Sequence, residues 1–240
     1  MPGTFSSRGI LPTADGNTQG GRNRGPGGGV QPGMQDRYLY LARHGEATPD
    51  EGALTGAGQR QAELLGRRLR GVPLTVIHHG PLPRAAQTAR LVGAQLGEVP
   101  LRESEAAGDY VPYIPERAEF PPELAEGLST RLAWVSAEER AQGAELARQA
   151  VRDFTGLVHE GDAPRHELVV THAFLIAWLV CAAMDAPAWR WMSLDHANAA
   201  LTVIRYAPAR PASVLVYNDM SHLPEDLRWT GFPAQLRTPC

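Results

Sequence analysis

From residue 38 onward, the chain alternates between two kinds of hydrophobic pattern. Short apolar runs rich in β-branched and aromatic residues predict strands, which lie at residues 38–42, 74–79, 166–171, 199–207 and 213–218. Longer stretches with apolar residues at helical spacing predict helices, which lie at residues 55–70, 82–97, 136–159 and 172–184. This alternation predicts an α/β fold: a three-layer sandwich with a mostly parallel central sheet and helices on both faces.

Local signals support the helix boundaries. Thr55 is a good N-cap for the first helix, and Gly97 is suited to ending the second. Ser136 and Glu139 form a capping box that opens the long third helix. By contrast, the segment at about residues 105–135 has four prolines and few regular signals, so an irregular insert is expected there.

The N-terminal segment differs in composition from the rest of the chain. Residues 1–35 are rich in Gly, Pro and polar residues and cannot bury enough apolar area to offset the entropy of ordering. A disordered tail is therefore expected, followed by one domain over residues 36–240. Met34 lies at the end of this segment, so both Met1 and Met34 stay open as the start of translation.

Composition excludes several classes of function. The formal net charge of −3 gives no indication of a nucleic-acid surface, and the apolar segment 172–184 is too short to span a membrane. All 23 basic residues are arginines, which excludes Schiff-base lysines and lysine-bearing phosphate loops. Cys181 and Cys240 cannot form a CxxC site or a disulfide framework. A reducing, cytoplasmic location is expected, without nucleic acid or membrane as partner.

Arginine and histidine side chains, which can bind anions or take part in catalysis, follow three of the predicted strands. Arg43 and His44 come directly after the first strand, and Arg84 opens the helix after the second. His172 opens the helix after the third. Because ligands of such sheets bind outside the carboxyl ends of the strands, these side chains are expected to converge. Arginine forks and helix N-termini suit phosphate oxygens, and a neutral imidazole can attack phosphorus. The sequence therefore predicts a phosphate site with a histidine nucleophile.

A phosphate ester also needs a general acid to protonate the leaving oxygen. No lysine is available, and three carboxylates follow the second helix: Glu103, Glu105 and Asp109. The residues alone leave the choice among these three open.

Two further features bear on the same pocket. Asn198, just before the strand at 199–207, is a candidate for supporting the pocket and binding phosphate. His78 and His79 are adjacent in a strand, so they point to opposite faces and do not favour a metal site. No metal is expected.

Five motifs occur in one order along the chain: "LARHGE", "LTGAGQRQA", "PLPRAAQTA", "LRE" and "VVTHA". In this set and spacing, the chain resembles the histidine phosphatase superfamily, or phosphoglycerate-mutase-like fold, over roughly residues 38–218. It is most similar to the branch that contains small phosphatases and protein phosphatases. The chain departs from the family at "HHGPL", where "SSPL" is frequent, and at Ala173, where glycine is usual.

The resemblance implies a phosphohistidine mechanism without metal or organic cofactor. His44 would be the nucleophile and His172 the second pocket histidine. Arg43 and Arg84 would bind the phosphoryl group, and Glu103 of "LRE" would donate the proton. The insert at 105–135 would set the substrate, which is expected to be a small phosphomonoester or a phosphoprotein.

Two alternatives to a phosphomonoesterase stay open. Phosphoglycerate mutases of the family carry a longer insertion between the second arginine and the second histidine than this chain has between Arg84 and His172, which favours hydrolysis. A non-catalytic phosphate-binding or scaffold member would be expected to have lost the nucleophile or an arginine, and this chain keeps them all.

Overall fold

The computed structural model describes residues 34–159 and 163–237. Its strands are β1 (Met34–Gln35), β2 (Arg37–Arg43), β3 (Leu74–His79), β4 (Leu101–Glu103), β5 (Val158–His159), β6 (Arg165–Thr171), β7 (Leu201–Tyr206) and β8 (Ser213–Asp219). Its α-helices are α1 (Gly56–Arg68), α2 (Pro83–Gly93), α3 (Ala125–Arg131), α4 (Ala137–Phe154) and α5 (Ala173–Ala183).

Six of the strands form the central sheet, in the order β4-β3-β6-β2-β7-β8. The strands β4, β3, β6 and β2 are parallel to one another, whereas β7 runs antiparallel to both β2 and β8. The prediction of a mostly parallel sheet is confirmed. In the β2–β6 pair Arg43 lies opposite Thr171, so the residues that follow these two strands leave the sheet side by side.

Helices cover both faces of the sheet, which confirms the three-layer sandwich. On one face, α1 and α2 pack Leu65 and Val92 against Ile77 and Val170 of the strands. On the other face, α4 and α5 bring their apolar side chains onto Leu39 and its neighbours. Burial of each large aliphatic side chain stabilises the fold by roughly 1.5–3 kcal/mol relative to leaving it exposed.

The most apolar helix is α5, and its residues Leu175, Ile176 and Leu179 are fully buried in the core. Within the part of the chain that the structure describes, no helix has both the length and the apolar character needed to cross a membrane.

The end of α4 differs from the prediction. The helix ends at Phe154 rather than near residue 159, because Gly156 adopts a left-handed conformation with φ +78°. The released residues Val158–His159 pair antiparallel with Met34–Gln35. The last two residues of the predicted tail therefore belong to a strand, while residues 1–33 of that tail lie outside the described residues.

The stretch after α2 contains regular structure that the hydrophobic pattern did not indicate. Leu101–Glu103 form an exposed edge strand, β4, which is too short to show alternation. Within the expected insert, short 3-10 turns at Glu105–Ala107 and Arg117–Glu119 precede α3. The two 3-10 turns and α3 each span two helical turns or fewer, so they are too short to show helical periodicity in the sequence.

A buried ion pair ties the amino end of β2 to β6 and to the end of α4. Arg37 and Glu167 are only 5% and 1% exposed, and Arg37 Nε donates to Glu167 Oε2 over 2.6 Å. The same guanidinium donates to the carbonyls of Thr155 and Asp153. Arg165 lies 2.7 Å from the second carboxylate oxygen. The buried carboxylate of Glu167 thus compensates the positive charges of both Arg37 and Arg165.

Substitution Glu167→Ala should destabilise the fold by about 3–5 kcal/mol, because it leaves the buried Arg37 without its counter-charge. The free energy of unfolding in urea measures the effect. Glu145→Ala is the matched control: it also removes a carboxylate paired with two arginines, but on the exposed face of α4, and it should shift the urea midpoint little. Equal effects of the two substitutions would contradict the prediction.

Candidate active site

The site begins at the turn that follows β2. The backbone N–H of His44 donates to the carbonyl of Thr171 over 2.9 Å, which continues the β2–β6 pairing beyond the strands. His44 and His172 therefore stand next to each other, with ring centroids 5.0 Å apart. Both side chains are buried. The structure thus brings together the two histidines that the sequence singled out.

The imidazole of His44 is held as one neutral tautomer. Its Nδ1 lies 2.7 Å from the carbonyl oxygen of Gly45, which can only accept, so Nδ1 carries the proton. Arg84 Nε donates to the opposite ring atom, Nε2, over 3.3 Å, which requires a free lone pair there. Burial, together with the nearby His172 and Arg43, lowers the pKa of His44 to about 3. An unprotonated Nε2 is therefore available at neutral pH.

Arg84 lies in the first turn of α2, where Pro83 fits because the first helical N–H needs no partner. Besides its contact with His44, this buried guanidinium donates to Asp109 Oδ2 over 2.7 Å. It also lies 3.2 Å from a carboxylate oxygen of Glu51. Two loop carboxylates thus compensate Arg84, in positions where the oxygens of a bound phosphate would also bind it.

Arg43 is anchored through one end of its guanidinium. Its Nη1 donates to the carbonyls of His196 and Gly231, over 2.7 and 2.6 Å. Its Nε is buried and has no hydrogen-bond partner among the described residues. Buried N–H groups are rarely left unpaired, so this atom can donate to an added acceptor such as a water or an anion.

The ring of His172 shows the same feature. Both of its nitrogens are buried without a hydrogen bond to any described residue, although Nδ1 lies 3.4 Å from Asp109 Oδ2. Burial and the guanidiniums of Arg84 and Arg43 lower the pKa of His172 to about 3. A bound dianion would offset the effect of the two arginines, and the imidazole could then take up a proton and donate it to an oxygen.

The turn after β2 packs directly on the start of α1. A Cβ at Gly45 would overlap the carbonyl of Gly58, and one at Gly58 would overlap the carbonyl of Glu46. The N–H of Gly45 donates to Thr88 Oγ over 3.0 Å, and that hydroxyl donates to the carbonyl of Arg84. One threonine therefore fixes the turn relative to the helix that carries Arg84.

Gln61 connects the same turn to the C-terminal segment. This fully buried side chain accepts from the N–H of Glu46 and donates to Leu227 and Thr230, each over 2.8 Å. Thr230 precedes Gly231, whose carbonyl anchors Arg43. The position of Arg43 thus depends on a segment far away in sequence.

Comparison with known proteins agrees with this geometry. The sequence profile of the histidine phosphatase superfamily (branch 1) matches residues 39–219. The chain belongs to the histidine phosphatase superfamily. A curated relative, the mitochondrial serine/threonine-protein phosphatase Pgam5 of Caenorhabditis elegans, is 28% identical over 194 residues, which cover 78% of this chain and 64% of the relative. This histidine phosphatase chain therefore spans less than two thirds of that protein.

Solved structures agree on the fold. The Bacillus stearothermophilus protein YhfR superposes with a TM-score of 0.58 at 24% identity, covering 78% of this chain and 98% of YhfR. The phosphoglycerate mutase of Plasmodium falciparum gives a TM-score of 0.53 at 20% identity, covering 80% and 96% of the two chains. At these identities the likeness shows a shared fold, common to phosphatases and mutases.

The expected cytoplasmic location is contradicted. The C. elegans relative and its counterparts in Caenorhabditis briggsae and Rattus norvegicus are all named as mitochondrial proteins. The expectation rested on cysteine content, which does not distinguish one reducing compartment from another.

The predicted proton donor makes no hydrogen bond or ion pair with the two histidines among the described residues. Glu103 is exposed on the edge strand β4, and its side chain makes no hydrogen bond or ion pair with a described residue. Asp109, an alternative that the sequence left open, is the carboxylate that contacts Arg84 and lies near His172. The 3-10 turn after β4 brings the chain to the end of β6, where Thr171 Oγ1 donates to the carbonyl of Ala107 over 2.7 Å.

Asn198 is at the site, but it contacts the main chain. Its amide donates to the carbonyl of His44 over 3.0 Å, and its side chain is buried. Among the described residues, this hydrogen bond holds the turn that carries His44 and does not place the amide as a phosphate ligand. His78 and His79, in turn, lie near Glu167 and the carbonyl of Gly80, respectively.

Sequence reasoning missed Thr88, Gln61 and Gly231. Thr88 and Gln61 lie on apolar helix faces, where a polar residue among alanines and leucines is a weak sign of a buried hydrogen bond. Gly231 adopts φ +66°, and a Cβ there would contact Arg43 and Asn198, but it lies 188 residues from Arg43 and no local pattern connects the two.

The buried His196 provides a test of the electrostatics of the site. Its ring is 1% exposed, and burial together with Arg43 lowers its pKa to about 3, below the ~6.5 of an unfolded chain. Between these two values the unfolded chain binds a proton that the folded chain does not. The free energy of unfolding should therefore fall as the pH falls from about 6 to 4.

Substitution His196→Leu should reduce this pH dependence by about one proton, or ~1.4 kcal/mol per pH unit. The main-chain carbonyl that anchors Arg43 is kept in this variant. Urea unfolding of both proteins at several pH values measures the difference in slope. Parallel slopes would show that His196 is protonated in the folded protein.

Proposed function

We propose that this chain is a metal-independent phosphomonoesterase that acts through a phosphohistidine at His44. The state of His44 carries the proposal: the ring is neutral, its Nδ1 proton is held by a carbonyl, and its Nε2 lone pair faces Arg84. The unpaired Nε of Arg43 and the ring of His172 support a phosphate beside it.

In the first step, phosphate oxygens take over the hydrogen bonds of Arg84 and pair with Arg43 Nε. Nε2 of His44 attacks phosphorus while the bond to the leaving oxygen breaks, and a general acid protonates that oxygen. The positive charge of the phosphorylated ring is shared with the Gly45 carbonyl through Nδ1–H. Water then attacks phosphorus and gives its proton to the same acid group, and the N–P bond breaks to return the electron pair to Nε2.

For the general acid, the geometry supports Asp109 over Glu103 and Glu105. Among these three, only the Asp109 carboxylate contacts described side chains of the site: it pairs with Arg84 and lies 3.4 Å from His172 Nδ1. A phosphate that displaces it from Arg84 leaves the carboxylate next to a dianion, where the like charge favours its protonated form. It is then placed to donate to the leaving oxygen.

Substitution Asp109→Asn should slow the hydrolysis of alkyl phosphates by about two to four orders of magnitude. Nitrophenyl phosphate should be much less affected, because nitrophenolate needs no proton to leave. Glu103→Gln and Glu105→Gln are matched controls on the same segment, and kcat/KM for both ester types is the measurement. If Glu103→Gln or Glu105→Gln alone shows the leaving-group-dependent loss, Asp109 is not the acid.

Substitution His44→Ala should abolish turnover, and the wild-type protein quenched during turnover should hold a phosphoryl group that is labile in acid. His166→Gln, at the opposite end of the sheet, is the control and should keep both properties. A phosphoryl group that survives acid would exclude phosphohistidine as the intermediate.

Activity should also survive treatment with a chelator, since two guanidiniums already offset the charge of the phosphate. Loss of activity in the chelator, with recovery on adding a divalent cation, would overturn metal independence.

The name of the C. elegans relative supports phosphoproteins as one substrate class of this chain. A panel of phosphopeptides and small phosphomonoesters, with 3-phosphoglycerate included, tests this extension. Transfer of the phosphoryl group between phosphoglycerates, in place of its release to water, would favour a mutase.

A further inference from the structure

A cavity of about 470 Å3 opens next to the proposed phosphate site. Asp109, which pairs with Arg84, lies on its wall, and so do Pro81 and Leu82, which directly precede α2. Phe174, two residues after His172, also lines the cavity. A phosphate held at His44 would therefore direct its ester group into this space. The volume lies within the range of about 300–1,000 Å3 that is typical of small-ligand pockets.

The charge of this cavity has one sign. Three carboxyl groups line it, those of Glu105, Asp109 and Glu139, and among its described lining residues none is arginine or histidine. Since Asp109 pairs with Arg84 and is the proposed acid, Glu105 and Glu139 supply the negative charge when phosphate is bound. Arg131 lies on an adjoining cavity of about 80 Å3, together with Asp195. A leaving group that carries a carboxylate or a second phosphate would be repelled here, whereas a cation would be attracted.

The cavity also presents exposed aromatic surface. Trp134 is 65% exposed and Phe174 is 40% exposed, although large apolar side chains are usually buried. The indole of Trp134 is oriented by a hydrogen bond from its Nε1 to the carbonyl of Arg131. Phe174 packs edge-on against Trp191, with ring centroids 5.0 Å apart. Fixed aromatic rings among carboxylates suit organic cations, which would gain cation–π contacts in addition to attraction by the carboxylates.

We propose that this cavity selects phosphomonoesters whose leaving group carries a cation that can lie against an aromatic ring. The inference rests on the proposed phosphatase function and adds to it the chemistry of the substrate. Such a leaving group occurs in small esters with a quaternary ammonium and in phosphopeptides with an arginine next to the phosphorylated residue. Both sources share the chemistry that the cavity recognises.

The test compares esters that differ in charge and little in shape. Phosphocholine and its neutral isostere 3,3-dimethylbutyl phosphate form the small-molecule arm, with 3-phosphoglycerate as the anionic member. Phosphoserine peptides with arginine, glutamine or glutamate at the next position form the peptide arm. In at least one arm, kcat/KM should be highest for the cationic ester, lower for the neutral one and lowest for the anionic one. The differences should shrink as salt is added. The arm that shows the order identifies the source of the substrate.

Two variants assign the preference to the cavity. Glu139→Gln keeps a side chain that can complete the capping box with Ser136, and should lower the cationic-to-neutral ratio about two- to fivefold. Trp134→Ala should lower it by a similar factor, about two- to fivefold, through the lost cation–π contact. Glu138→Gln removes the same charge from the neighbouring position on α4, which does not line the cavity, and should leave the ratio unchanged.

The outcomes separate this inference from the proposed function. Hydrolysis of all the esters without an order by charge, or with preference for the anionic esters, would overturn the inference and leave the phosphatase function in place. An equal response of Glu138→Gln and Glu139→Gln would also overturn it, because the preference would then come from overall charge. If the wild-type protein hydrolyses none of the esters, the phosphatase function itself fails.

Discussion

The hydrogen bond from His44 Nδ1 to the Gly45 carbonyl is the interaction around which the site is organised. It fixes the tautomer, and so determines that the free lone pair is on Nε2, the atom that Arg84 approaches. Burial and the two guanidiniums keep the ring unprotonated at neutral pH. The ring is therefore held neutral with one free lone pair, which is the state that the proposed nucleophile requires.

A tightly packed backbone maintains that hydrogen bond. Gly45 and Gly58 allow the turn and the start of α1 to approach more closely than any side chain would permit. Thr88 joins the turn to the helix that carries Arg84, and Gln61 joins it to the C-terminal segment. Errors of position at any of these contacts would separate the lone pair from the phosphate-binding groups, and small displacements of reacting atoms have large effects on rate.

Loop residues provide the negative charge beside Arg84. Asp109 and Glu51 neutralise Arg84 without occupying the core of the fold. In the proposed mechanism a phosphate takes over the contact of Asp109 with Arg84, and its binding thereby releases the carboxylate proposed as the general acid. Asp109 also lines the acidic, aromatic cavity, so the proposed proton donation and the proposed recognition of the leaving group involve the same residue.

The sequence by itself determined the sheet, its covering helices and four of the site's side chains. The spacing of hydrophobic residues shows which face of an element is buried, and strand ends in a parallel sheet meet at one edge. The convergence of Arg43, His44, Arg84 and His172 could therefore be expected from residue order alone. Tertiary structure decided the rest. Glu103 and Asp109 are only six residues apart, and the conformation of an irregular segment determines which of them reaches Arg84. Gly231 and Gln61 act through contacts across more than a hundred residues, which depend on three-dimensional packing and leave no periodic trace in the chain.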